Sequence, residues 1–199
     1  DKAEAEKLVP LGTTAIFATS FRKLSDEIIL GKALDDRVGC NVLLELLADD
    51  YDCNLVCAFT VQEEVGLRGA GVAAYQVNPD LALVIEGTTA SDVPDVPEHG
   101  HATSVGKGPA LTIMDRTSIP ARPLLQQLQQ VAEKKGIPIQ FRRATTGGTD
   151  SGKIQLTKGG IPVAGISVPC RYIHSPASVA SLSDIEATIR LVKGFLETL

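Results

Sequence analysis

Hydrophobic positions along the chain fall into two rhythms. Val38, Val42, Leu43, Leu46 and Leu47 recur at the spacing of a helix that begins after Asp36. Leu124, Leu125, Leu128 and Val131 do the same within residues 121–136, where Gly136 is placed to cap the C-terminus. Residues 67–76 read as a helix of small residues. Residues 183–199 read as a closing helix, with Ser183 as N-cap and Glu186 three positions on. Between these lie short runs rich in apolar residues. Residues 54–62, 81–87, 110–115, 137–143 and 161–169 predict strands, and residues 13–21 another, after a charged stretch at 1–8. No internal repeat is present. Strands alternating with helices, several of them almost wholly apolar, predict an α/β fold whose sheet is covered on both faces. In such folds ligand chemistry collects at the C-terminal ends of the strands.

Four polar signals stand there. Asp35-Asp36, Glu63-Glu64 and Glu86 lie at the ends of apolar elements, and His174 follows the strand that ends at Pro169. A carboxylate just past a buried strand is costly unless it is paired, hydrogen-bonded or metal-bound. Adjacent acids on one turn repel each other, and a divalent cation relieves them. Each signal alone has a plain structural reading: Asp35-Asp36 as a helix cap, Glu63-Glu64 as acids favouring a helix dipole. Together in one α/β domain, oxygen ligands plus one imidazole suit zinc, cobalt or manganese.

Composition narrows the partners. Nineteen Lys and Arg against 24 Asp and Glu leave a net charge of −5, which argues against nucleic acid. No apolar run approaches the ~20 residues of a membrane span. Cys40, Cys53, Cys57 and Cys170 form no CxxC pair and read as small buried hydrophobes, which points to a reducing cytoplasm. Gly147 and Gly152-Lys153 have the spacing of a phosphate loop, but Ile154 stands where that loop needs Ser or Thr. His99, His101 and Arg142-Arg143 read as solvated, and Asp150 as the cap of a short helix.

The blocks GKALDDRVGC (31–40), TVQEEVGLRGA (60–70), VIEGTTASD (84–92), TGGTDSG (146–152) and CRYIHS (170–175) resemble, in order and spacing, the dinuclear metallo-aminopeptidases of peptidase family forty-two. That family holds glutamyl and tetrahedral aminopeptidases and members labelled endoglucanases. The resemblance implies a three-layer zinc-peptidase-like core with a mixed, mostly parallel sheet. It implies that Asp35 bridges two metals, that Glu64 and His174 share one of them, and that Glu86 binds the other. Glu63 becomes the general base, and Asp36, Gly148, Thr149 and Asp150 stand behind the ligands or line the substrate pocket. Zinc or cobalt, two per intact site, peptide substrates and assembly from dimers to dodecamers follow from the same likeness.

The sequence also departs from that family. Nothing here corresponds to its N-terminal His-x-Asp segment, and residues 1–30 resemble the tail of an inserted β-rich dimerisation domain, leaving 31–199 as catalytic core. The expectation is therefore one metal at most and impaired activity for this stretch alone. Two other readings compete: a glycoside hydrolase, which would need carboxylates flanking an aromatic-lined cleft in a chain with no Trp, and a non-catalytic fragment.

Overall fold

In the computed structural model, which describes residues 1–199, the chain runs α1 (Lys2–Leu8), β1 (Arg22–Lys23), β2 (Ile28–Gly31), α2 (Leu34–Leu46), α3 (Arg68–Val77), β3 (Ala82–Thr89), β4 (Ala110–Leu111), α4 (Arg122–Lys135), β5 (Gln140–Phe141), α5 (Ser151–Ile154), β6 (Val163–Arg171), β7 (Ser178–Ser181) and α6 (Leu182–Leu196). Strand β6 is the spine. Eight of its nine residues are buried, as the strand of a sheet covered on both faces must be. Along one edge it pairs in parallel with β3, from Ala82 opposite Val163 to Thr89 opposite Cys170. Its other edge carries β4 and β7, both antiparallel; β5 adds to β4, and β2 with β1 add to β7. The sheet is mixed, as expected. The expected parallel majority is not found: only β3–β6 and β4–β5 are parallel, and the other four of the six pairings are antiparallel.

Alternation along β6 sorts the layers. Ala164 and Ile166 face the main core, where Val42 and Leu46 of α2, Leu128 and Val131 of α4, and Leu191 and Phe195 of α6 close around Leu111. Each such side chain taken fully out of water contributes roughly 1.5–3 kcal/mol. Gly165 points the other way, toward Ser151 of α5, and α3 packs on α5. That makes three layers. A smaller cluster of Ile29, Leu34, Val38, Val168, Cys170, Ala180 and Ile185 fills the corner below the start of α2. No helix is long and apolar enough to cross a membrane.

Several expectations need correction. Residues 13–21 form no strand: Ile16 and Phe17 are exposed, and nothing pairs with them. Residues 54–62 are extended, with Leu55 and Cys57 inward and Val56 and Ala58 outward. They enter no ladder, since no other strand in the chain lies alongside to take their amides. The strands expected over 110–115 and 137–143 shrink to two residues each. Asp115 ends the first early, because its carboxylate draws the chain into a turn by accepting from the Thr117 and Ser118 amides, both at 2.7 Å. The N-cap of helix α6 lies two residues earlier than expected: it is Ser181, not Ser183, and it makes no side-chain cap bond, its hydroxyl being paired with that of Ser183 at 2.7 Å. Of the four free cysteines only Cys170 is fully buried.

Candidate metal centre

The site assembles at the C-terminal ends of β3 and β6, where the chain enters α2. Leu34, locked in the smaller cluster, and Ala33, in the left-handed region, set the entry. Asp35 and Asp36 follow with non-helical backbone, joined by a cis peptide. Asp36 turns inward. Its Oδ1 accepts from the Gly39 and Gly87 amides, both at 3.0 Å, so it caps the regular part of α2 and ties it to β3. Asp35 turns toward the open side, backed so closely by β3 that an added Cβ at Gly87 would lie 2.9 Å from its own.

Two further loops converge on Asp35. The turn after residues 54–62 is closed by the Gly66 and Leu67 amides donating to the Glu63 carbonyl, and it projects Glu63 and Glu64 ahead of α3. The link between β6 and β7 carries His174, with Tyr172 and His174 both at positive φ and the Ser175 hydroxyl donating to the Tyr172 carbonyl at 2.6 Å. His174 Nε2 lies 3.2 Å from Glu64 Oε2 and 3.5 Å from Asp35 Oδ2. One ligand atom from each of Asp35, Glu64 and His174 falls within 4.8 Å of the others. Glu86, on β3, stands outside this group, and its Oε1 accepts from the Asp150 amide at 3.2 Å.

The electrostatics of the cluster favour a cation. Burial, reinforced by the charge of Glu64, raises Asp35 to about 6. Burial lifts Asp36 to about 8 despite its two amide donors, with the charges of Asp35 and Glu63 adding to the rise. Glu63 is raised to about 7 by burial and then by Asp150, Glu64 and Asp35. Burial pushes Glu86 well above the usual carboxylate range, and Glu63, Asp36 and Asp35 push it further. Carboxyls raised first by burial and then by one another's charge are what a divalent ion would hold in the charged form. The donor set, two carboxylates and one imidazole, fits a divalent cation.

The remaining predicted residues form one wall. Gly148 abuts Thr117, whose Cγ2 would lie 2.3 Å from an added Cβ, and the Thr149 amide donates to Thr117 Oγ1 at 3.3 Å. Asp150 does not cap α5; it makes no cap bond there, and its Oδ2 accepts instead from Thr60 Oγ1 at 2.5 Å. Arg142, expected as solvated, fastens this loop. Its Nε donates to Thr88 Oγ1 at 3.2 Å, its Nη1 to the Ala144 carbonyl at 2.6 Å, and its Nη2 to the Thr146 carbonyl. His101 is taken up by the Val96 carbonyl at 3.0 Å and joins no acidic group. Thr60, Thr117 and Arg142 carry no sequence signal for these roles; only Gly87, beside an acidic residue at a strand end, offers a faint one.

A profile of the M42 glutamyl aminopeptidase family matches residues 1–191. Lysyl aminopeptidase of Pyrococcus furiosus is 33% identical over 209 residues, which take in 100% of this chain and 57% of that protein. Among solved structures, aminopeptidase APDkam598 from the archaeon Desulfurococcus kamchatkensis superposes with a TM-score of 0.95 at 40% identity, over 100% of this chain and 57% of that one. The TET1 peptidase of Pyrococcus horikoshii, described as assembling into a tetrahedron or a large octahedral shell, superposes with a TM-score of 0.82 at 34% identity, over 100% of this chain and 59% of that one. The chain spans about half the length of the curated relatives it matches. On the length of the profile match, the chain belongs to the M42 glutamyl aminopeptidase family.

Proposed function

We propose that this chain supplies the metal-dependent catalytic residues of an aminopeptidase that removes N-terminal residues from peptides. The observation that carries the reading is the convergence of Asp35, Glu64 and His174 within 4.8 Å, with Glu63 next in sequence to one of them. Asp35, Glu64 and His174 would hold one divalent cation, zinc or cobalt; Glu86, outside their group, would serve with Asp35 at the second cation of an intact site. When bound, such a cation lowers the pKa of water and polarises a carbonyl.

Glu63 is the general base in this reading. It is half-buried and titrates near 7, so at neutral pH its carboxylate takes a proton from the attacking water and, as the acid, delivers it to the departing amine. Asp36 holds the start of α2 through its two amide donors and so fixes Asp35. Gly148 and Thr149, seated on Thr117, form the wall along which a peptide lies. The exposed residues 13–21, with α1 burying no side chain, support reading the start of the 1–30 stretch as the tail of an inserted β-rich domain ahead of the 31–199 catalytic core, while β2 within that stretch pairs with β7 of the core sheet. Homo-oligomeric assembly is supported by the TET1 likeness, and the four unpaired cysteines support a cytoplasmic setting.

The test is hydrolysis of amino-acid p-nitroanilides by the wild-type protein and by Glu63→Gln. The variant keeps its metal and loses turnover by at least a hundredfold; unchanged turnover would remove Glu63 from the mechanism. Cleavage of a glucan in place of the anilides would select the glycosidase reading.

A further inference from the structure

Two of the segments that bring carboxylates to the site share no ladder. Residues 54–62, which lead into Glu63 and Glu64, pair with no strand, and β3, which carries Glu86, pairs only with β6. The backbone bonds at the end of the first segment are local. The Arg68 amide donates to the Gln62 carbonyl and the Gly69 amide to that of Val61, so they tie the turn to its own helix and to nothing else.

Asp150 bridges the gap. Its side chain accepts from Thr60 Oγ1 at 2.5 Å, three residues before Glu63, while its amide donates to Glu86 Oε1 at 3.2 Å. The residue is 6% exposed, and its other carboxyl oxygen, Oδ1, is buried with no partner. A buried carboxyl spending its one bond on a threonine 90 positions away, and none on capping its own helix, is poor economy for stability. Such an unsatisfied buried group asks for a functional account. Resting on the aminopeptidase reading above, we propose that Thr60 and Asp150 are positioning residues: a polar brace that sets the Glu63–Glu64 turn against Glu86 at the distance the cation and the base require. The loop bearing Asp150 is itself held from behind by Arg142 and Thr117, so the brace pushes against a fixed support.

The experiment is cobalt(II) titration of the metal-free chain, read by the visible absorption of the bound ion, together with amide hydrogen exchange over residues 63–67 without metal. Thr60→Val removes only the donor. It is expected to weaken cobalt(II) binding at least tenfold, to alter the absorption envelope, and to speed exchange in the turn; Thr60→Ser restores all three. Asp150→Asn, which still offers Thr60 an acceptor, stays near wild type, whereas Asp150→Ala matches Thr60→Val. The double variant Thr60→Val with Asp150→Ala loses no more than either alone, as members of one unit do. Wild-type cobalt(II) binding and wild-type exchange in Thr60→Val would overturn the brace, as would losses that simply add. The exchange arm stands even if the chain takes up no cobalt(II), and the cobalt arm even if it cleaves no peptide. Failure of the catalytic reading is thus separable from failure of the brace.

Discussion

Gly87 shows how tightly single residues are constrained here. An added Cβ would lie 2.9 Å from the Asp35 Cβ and 3.0 Å from its Cα, and the Gly87 amide is one of the two donors that hold Asp36. Gly87→Ala must push the start of α2 outward. The expected result is a loss of about 1–3 kcal/mol in urea unfolding together with weaker cation uptake; an unchanged midpoint would mean that α2 yields freely. At this scale the sequence was readable in one respect and silent in another. Asp35, Glu63, Glu64 and Glu86 were visible because acids at the ends of apolar strands are costly and stand out, and His174 because it follows a buried strand. Thr60 was invisible: a threonine in a β-branched run has no reason to attract notice, and its partner Asp150 is an ordinary acid in a glycine-rich loop. Only folding brings the two together.

Elements were legible where they carried their own periodicity. The amphipathic stripe of Leu124, Leu125, Leu128 and Val131 became α4, with Gly136 at φ 61° closing it as the cap demanded. Strand expectations held where a partner existed, as for β3 and β6, and failed where none did, as for residues 13–21 and 54–62. A strand is a property of two segments, and hydrophobic pattern reports on only one of them. A similar blindness covers loops held by single side chains. Asp184, 1% exposed in the first turn of α6, accepts from the Gly106 and Gly108 amides, both at 2.7 Å, and so pins that loop against the helix. Asp184→Ala orphans both amides and is expected to cost about 2–3 kcal/mol, with Asp184→Asn recovering part. Cobalt(II) binding should be untouched, since this contact lies apart from the converging ligands; a loss of affinity would show that the loop reaches the site.

For the molecule as a whole, the acidic cluster makes stability depend on pH in an unusual sense. Asp35 at about 6, Glu63 at about 7 and Asp36 at about 8 all lie above their ordinary values near ~4, and Glu86 is shifted the same way. Between pH ~4 and ~8 the metal-free folded chain therefore binds more protons than the unfolded one, and unfolding becomes easier as pH rises through that window. Each proton held in excess contributes a slope of about 1.4 kcal/mol per pH unit. Thermal unfolding of the metal-free chain should occur at a lower temperature at pH 8 than at pH 5, and zinc or cobalt at pH 8 should recover the difference. A metal-free midpoint that rises with pH would contradict the burial of this cluster.

The unladdered stretch at residues 54–62 bears on how the chain behaves in solution. NLVCAFTVQ contains no charge and no proline, the two devices by which sheet edges usually repel one another. Val56, Phe59 and Val61 along it are all exposed. Extended backbone with free amides, β-branched side chains and nothing to turn a neighbour away forms a template for strand addition between molecules. The overall charge of −5 places no charged side chain within this segment. A lysine in place of Val56 would guard this stretch directly, by the charge repulsion that sheet edges ordinarily use.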